Sequence, residues 1–252
     1  MFIIQWRANK SLAIVFLTLI TVLLIATHSL PANAAPKLPS ALESVGNAQQ
    51  VVLVQATDWK STKGTLRAFE RRNGKWTEVQ SKVVADLGYG GLARGTDRRQ
   101  GTGTTPTGLY AITSSFGRLA DPGTKLDYIR VDRNDAWTYN PKYPSTYNVF
   151  QTANRSWSSY GNYVERLYSY GKQYNYVAVL DYNLPPGKIT QGARGINRTD
   201  KPANTQMGGG IFLHVSNGNK TAGCIAVQQS VMKKLMNWFD PDKNPAIVIE
   251  VV

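Results

Sequence analysis

The apolar residues of this chain gather in short β-branched runs separated by glycine, proline and asparagine, and only one stretch keeps a clear helical period. Val51-Val52-Leu53-Val54-Gln55-Ala56 reads as a strand. Thr65 to Glu70 and Lys75 to Val79 flank Asn73-Gly74, which predicts two strands joined at an Asn-Gly turn, with Val83-Val84 continuing the β character. Gly88 to Gly108 is glycine-rich and loop-like. Strands are expected again at Leu109–Thr113, Tyr176–Leu180, Ile211–Val215 and Ala246–Val252. Val164 and Leu167 are spaced for one short helix within Tyr163–Tyr168. Ser230–Phe239 is the clearest helix, with Val231, Leu235 and Trp238 along one face and Pro241 closing it. Asp121 to Tyr163 is rich in Tyr, Trp, Asn and Pro without long periodicity, so it either covers a groove or forms a long insertion. Many short strands and one or two short helices predict a mainly β, single-domain sandwich or barrel-like fold.

The N-terminus departs from this pattern. Arg7 and Lys10 precede an apolar run from Leu12 to Ala26, and Ala32-Asn33-Ala34 supplies a small-residue end. That order is a secretory signal over residues 1–34, removed after Ala34. The run is shorter than the roughly 20 residues a spanning helix needs, so an uncleaved signal is the only membrane contact expected. Residues 35–49, with Pro36, Pro39, Ser40 and Gly46, read as a short linker. The domain then occupies 50–252. Export places the protein in the cell envelope or outside it.

Compartment changes the meaning of the charge. The chain carries 29 Lys and Arg against 16 acids, a formal charge of +13, which suggests a polyanionic neighbour. Nucleic acid is scarce beyond the membrane, so anionic wall polymers or lipid headgroups are the expected partners. Cys224 is the sole cysteine, and His214 is the sole histidine beyond the signal. An exported protein with one thiol has no internal disulfide, and such a thiol is kept for chemistry or for packing. With no second Cys or His beyond the signal to complete a ligand set, a zinc site is the weaker reading, and no cofactor is expected.

His214 and Cys224 lie ten positions apart across Ser216-Asn217-Gly218-Asn219-Lys220, a turn-forming connection. Neighbouring strands would bring imidazole and sulfur together. A free thiol is only about 3% thiolate at neutral pH, so an adjacent base is what makes it a nucleophile. Gly223 permits close backbone approach, and the Cys224 N–H is a candidate oxyanion donor. The glycine-rich Gly101–Gly108 lacks the Gly-Lys-Ser/Thr ending of a phosphate loop.

His214 followed by Thr221-Ala222-Gly223-Cys224-Ile225 resembles the signature of the YkuD-type L,D-transpeptidase catalytic domain: a histidine, then [Ser/Thr]-x-Gly-Cys-[Ile/Val]. Thr105-Pro106-Thr107-Gly108-Leu109-Tyr110 is similar to that family's Thr-Pro-x-Gly-x-Tyr segment. Tyr147-Asn148, Glu165-Arg166-Leu167, Tyr174-Asn175-Tyr176 and Ile211-Phe212-Leu213-His214 resemble a secreted branch of it, and the likeness spans about Val51 to Val252. The resemblance implies a peptidoglycan enzyme, acting as a monomer on stem peptides. Cys224 would be the nucleophile, His214 the general base and acid, and Gly223, Ala222 and Thr221 the oxyanion and support residues. The product would be 3–3 cross-links or trimmed stems. Three departures stand out: Ala226 occupies the place of a common Arg or Asn, Ala222 that of a common His or Asn, and the His-to-Cys interval is short. Arg94, Arg98, Arg194 and Lys220 are candidates to replace the missing substrate-binding Arg. A sortase-like transpeptidase fits less well, since no Arg follows Arg198. A wall-binding module that has lost turnover is the remaining alternative.

Overall fold

Strand follows strand with little helix between them in the computed structural model, which describes Leu38–Val252; the signal expected over residues 1–34 lies outside the described residues. The strands are β1 (Gln50–Ala56), β2 (Lys63–Arg72), β3 (Lys75–Asp86), β4 (Leu92–Arg94), β5 (Thr105–Gly117), β6 (Tyr128–Arg130), β7 (Ala136–Thr138) and β8 (Val149–Gln151). They continue with β9 (Val164–Arg166), β10 (Val177–Leu180), β11 (Ile189–Gln191), β12 (Asn197–Thr199), β13 (Phe212–Val215), β14 (Ile225–Val227) and β15 (Ala246–Val251). The helix α1 (Gln229–Trp238) lies between β14 and β15.

The main sheet runs in the order β10-β13-β14-β3-β2-β1-β15-β5-β4, with β6 also on β5. Because β5 pairs with β15 through Gly108–Ala111 and with β10 through Ile112–Phe116, the sheet closes on itself. The mainly β, barrel-like expectation holds. Asn73 and Gly74 both take positive φ (49° and 76°), which gives the β2–β3 hairpin the turn twist that matches its strands. β13 and β14 are parallel, as are β1 and β15.

Alternation sorts the side chains onto two faces. Val52, Val54, Leu66, Leu213, Val215, Ile225 and Ile247 fill the interior, and α1 adds Val231, Met232, Leu235 and Met236 to the same core. The other face of β1 is buried too. Val51 and Leu53 pack under Leu42, Val45 and Ala48. Residues 38–49, expected as linker, therefore carry a 3₁₀ turn at Ser40–Ser44 that covers the barrel, because its apolar residues have a face of β1 to bury against.

The Asp121–Tyr163 segment covers the outer face of β5, β10 and β13. It contributes Val131 and Trp137 to a cluster with Phe116, Val177, Val179, Phe212 and Cys224, and its strands join the small sheet β8-β7-β9. The short helix expected at Tyr163–Tyr168 is not formed. Val164 enters β9, paired with Thr138 of β7, and Leu167 begins a 3₁₀ stretch to Tyr174 interrupted at Gly171 (φ 63°). Pairing satisfies the backbone there, so the three-residue apolar spacing no longer needs a helix.

Glu70 ties the end of α1 to β2. It is 4% exposed, accepts from Trp238 Nε1 at 2.9 Å and from Lys243 Nζ at 2.6 Å, and pairs with Arg72 at 3.1 Å. Burial alone would raise its carboxyl, but the hydrogen bonds from Arg72, Lys243 and Trp238 hold it at about 2. A depressed carboxyl stabilises the folded chain above its unfolded pKa, and that contribution is lost as pH falls from about 4.5 towards 2. Glu70→Gln should cost about 2 kcal/mol at pH 7. In thermal melts this is a fall of about 4–8 °C that shrinks on acidification below pH 4. An equal loss at pH 7 and pH 3 would contradict the ion-pair account.

Candidate active site

The nucleophile loop is built from its ends inward. Ser216 to Thr221 leaves β13, and Thr221 is fastened to the Leu87–Tyr89 segment, its N–H donating to the Leu87 carbonyl (2.9 Å) and its carbonyl accepting from Tyr89 (2.8 Å). The Thr221 hydroxyl donates to the Cys224 carbonyl at 2.6 Å and accepts from the Gly223 N–H at 3.1 Å. This clasp holds a tight turn in which Gly223 sits at φ 133°. The Gly223 amide is thereby occupied, which leaves the amides of Ala222 and Cys224 as the candidate donors to a substrate oxygen.

Parallel pairing sets His214 opposite Ala226 and Leu213 opposite Ile225. Cys224, two residues before Ala226, therefore lies on the same sheet face as His214, offset by one strand repeat. Tyr174 packs edge-on against both the His214 ring (centroids 5.5 Å apart) and the Phe212 ring (6.0 Å). Cys224 is 7% exposed; its sulfur donates to the Gly210 carbonyl at 3.2 Å and accepts from the Phe212 N–H at 3.4 Å. His214 Nδ1 lies 2.9 Å from the Val215 carbonyl, which can only accept, so Nδ1 carries the proton and Nε2 is left as the basic nitrogen. Imidazole and thiol are not hydrogen-bonded to each other here, so proton transfer requires the sulfur to turn from Gly210 towards the ring.

Electrostatics keep both groups neutral. Burial pushes the thiol up to about 12, the charge on Glu165 adds to the rise, and the Phe212 N–H and Arg98 oppose it. Burial pushes the imidazole down to about 4, against the Val215 carbonyl and the nearby Asp86 carboxylate, which favour the cation. Asp86 is itself held by Lys63 at 2.7 Å and by the Ser216 hydroxyl.

Cys224 and Ala222 open onto a cavity of about 230 Å³ that also exposes Tyr89, Arg98, Tyr139, Tyr163, Glu165 and Gly208–Gly210. Asn148 fixes one wall: its Oδ1 accepts from the Gly210 N–H (2.8 Å) and from Trp137 Nε1 (2.7 Å). Arg98 is 4% exposed, with Nε donating to the Thr104 carbonyl (2.7 Å) and Nη1 to the Met207 carbonyl (2.8 Å). Its Nη2 lies beside the turn, 2.8 Å from where a Cβ on Gly223 would stand. Burial raises the Glu165 carboxyl to about 7 against the hydroxyls of Tyr174 and Tyr139.

Of the basic candidates, Arg98 alone lines this cavity. Arg94 is exposed and faces a different depression beside Thr107 and Tyr110; Arg194 and Lys220 are exposed on loops. Glu165 and Tyr174, which the sequence offered only within segments resembling the family and with no role, reach the site, and Tyr139 is a lining residue that sequence reasoning did not single out. Among the described residues no group of three or more His, Cys, Asp or Glu is placed to hold a metal ion.

Comparison with solved structures finds the Campylobacter jejuni helical cell shape determining protein Pgp2 at 16% identity and a TM-score of 0.38, with 81% of this chain and 48% of that chain covered. Bdellovibrio bacteriovorus Bd1075 matches at 17% identity and a TM-score of 0.36, with the same coverages. The chain spans about half the length of both. No curated protein matches it. The model of the YkuD L,D-transpeptidase catalytic domain matches residues 61–249, and the chain belongs to that family.

Proposed function

We propose that this protein is an exported, cysteine-dependent L,D-transpeptidase acting on peptidoglycan stem peptides, forming 3–3 cross-links or trimming stems. Members of the family are cysteine-dependent L,D-transpeptidases of peptidoglycan. The observation that carries the reading to this chain is that its only thiol opens onto a cavity and lies on the sheet face it shares with its only described imidazole. The Cys224 thiol attacks the carbonyl joining the third stem residue to a terminal D-alanine, and its proton passes to His214 Nε2. The amides of Cys224 and Ala222 receive the developing oxyanion, each such donor contributing about 3 kcal/mol. His214 returns the proton to the departing D-alanine amine as the thioester forms. A side-chain amine of a second stem, or water, then takes the acyl group and the thiol is restored. Arg98, carrying an unpaired buried charge beside the turn, anchors the terminal carboxylate in place of the Arg absent at position 226.

Intact-mass analysis with a carbapenem, which acylates the active cysteine of this family, tests the reading. The expected result is a single adduct on the exported form that is lost in Cys224→Ala. A mass that never rises while a thiol titration finds Cys224 free would favour a wall-binding module and end the enzyme reading.

A further inference from the structure

Glu165 is the one acid on the wall of the Cys224 cavity, and among the described residues no Lys or Arg pairs with it. Its polar partners are phenols. The Tyr174 hydroxyl donates to it, and Tyr170 stacks on the Tyr174 ring with centroids 4.7 Å apart. Tyr139 and Tyr163 meet edge-on at 6.5 Å and line the cavity beside it. The carboxylate is close to the chemistry. Its Oε1 stands 3.6 Å from the place of a Cβ on Gly210, and the Gly210 carbonyl receives the Cys224 S–H at 3.2 Å. Arg98, lining the same cavity, has a buried guanidinium with no acidic partner among the described residues.

A desolvated carboxylate without a counter-charge is costly, and a cation entering its box repays that cost. Tyrosine faces add cation–π attraction for an ammonium group. Two opposite, uncompensated charges flanking one nucleophile fit a substrate charged on both sides of the bond to be broken.

We infer that Glu165 is a specificity residue: its tyrosine-boxed carboxylate binds the side-chain ammonium of the third stem residue, while Arg98 holds the terminal carboxylate on the far side of the scissile bond. This rests on the transpeptidase reading and names what that site selects. A site built around a charged group rejects analogues that lack the partner charge far more strongly than an apolar pocket rejects a missing methylene.

Two synthetic tetrapeptide stems decide the matter, one with a free amine on the third side chain and one with that amine acetylated. For the wild-type protein acetylation should lower kcat/KM at least 30-fold, chiefly through KM. Glu165→Gln should process the two stems within about 3-fold of each other. Tyr163→Leu, at the exposed edge of the box, should show an intermediate ratio and keeps the test alive if the first variant does not fold. A Glu165→Gln protein that discriminates as strongly as wild type overturns the assignment. Wild-type protein that never takes a carbapenem adduct defeats the cysteine reading beneath it, so the two failures are distinct.

Discussion

An alanine at His214 is expected to slow acylation of Cys224 by about 10²- to 10⁴-fold, the range over which a positioned general base contributes. The argument starts from burial. The thiol sits near 12 and the imidazole near 4, so at neutral pH neither is charged and a preformed thiolate–imidazolium pair is far uphill. The proton must then leave sulfur as the carbon–sulfur bond forms, and Nε2 is the acceptor because Nδ1–H is committed to the Val215 carbonyl. This fixes the shape of the pH profile. The wild-type rate should not climb tenfold per pH unit through 7–8.5, as a free thiol's would, and it should fall only towards pH 4, where the imidazole becomes protonated and ceases to be a base. Protonation of Glu165 below about 7 opposes that fall, since it removes a charge that raises the thiol and so eases loss of the thiol proton. Time-resolved intact mass against a carbapenem from pH 4.5 to 8.5 measures both effects. His214→Gln fills more of the space beside Tyr174 and separates loss of the base from the cavity that alanine leaves, which costs about 2–3 kcal/mol. A wild-type rate that tracks hydroxide and survives both substitutions would show that His214 is not the base.

Local features of the fold were legible because neighbours along the chain decide them. Asn73-Gly74 announces its hairpin, and Val231, Leu235 and Trp238 mark one face of α1. What the sequence conceals is pairing at a distance. Nothing in Ile211–Val215 or Ile225–Val227 says that the two runs are parallel, yet that direction puts Cys224 and His214 on one face. Ser40–Ser44 looks like a linker because its apolar residues are few, and only the outer apolar face of β1, which Leu42 and Val45 bury, makes them a lid. Charged residues pose the same difficulty more sharply. Arg98 stands in a sequence run with Arg94 and Arg99 and reads like any solvated base; its burial is decided by carbonyls at Thr104 and Met207. Glu165 stood out only as part of a family-like segment and with no role attached, since its setting comes from tyrosines of the segment 139–174 that meet it after folding. The Cys224 loop was readable as a motif, whereas the engagement of the Gly223 amide by Thr221 is a matter of turn geometry.

Gly223→Ala is expected to lower the acylation rate at least 100-fold while the barrel stays folded. At φ 133° an L side chain is strained by about 1–3 kcal/mol, and here it also lacks space. The new Cβ would stand 2.8 Å from the Thr104 carbonyl oxygen, 2.8 Å from Arg98 Nη2 and 3.2 Å from Ile211 Cδ1. Arg98 is buried and held by the Thr104 and Met207 carbonyls, and the Thr104 oxygen belongs to the backbone, so neither yields cheaply and the turn itself must move, crowding Arg98. Movement opens the Thr221 clasp on the Cys224 carbonyl and re-aims the Cys224 N–H, the donor on which the oxyanion depends. Losing one such donor costs about 3 kcal/mol of transition-state stabilisation, a factor of 10²–10³. Displacing Arg98 should raise KM for stems with a terminal carboxylate as well, so the stem reaction should suffer more than carbapenem acylation. Thr221→Val isolates the clasp, since it removes the hydroxyl without touching the space beside Arg98, and Thr221→Ser should restore it. Thermal melts of Gly223→Ala should fall by about 3–10 °C, the strain spread over a domain of this size. If Gly223→Ala acylates within threefold of wild type, the turn does not hold the oxyanion, and the donors must be sought on the Gly208–Gly210 wall of the cavity.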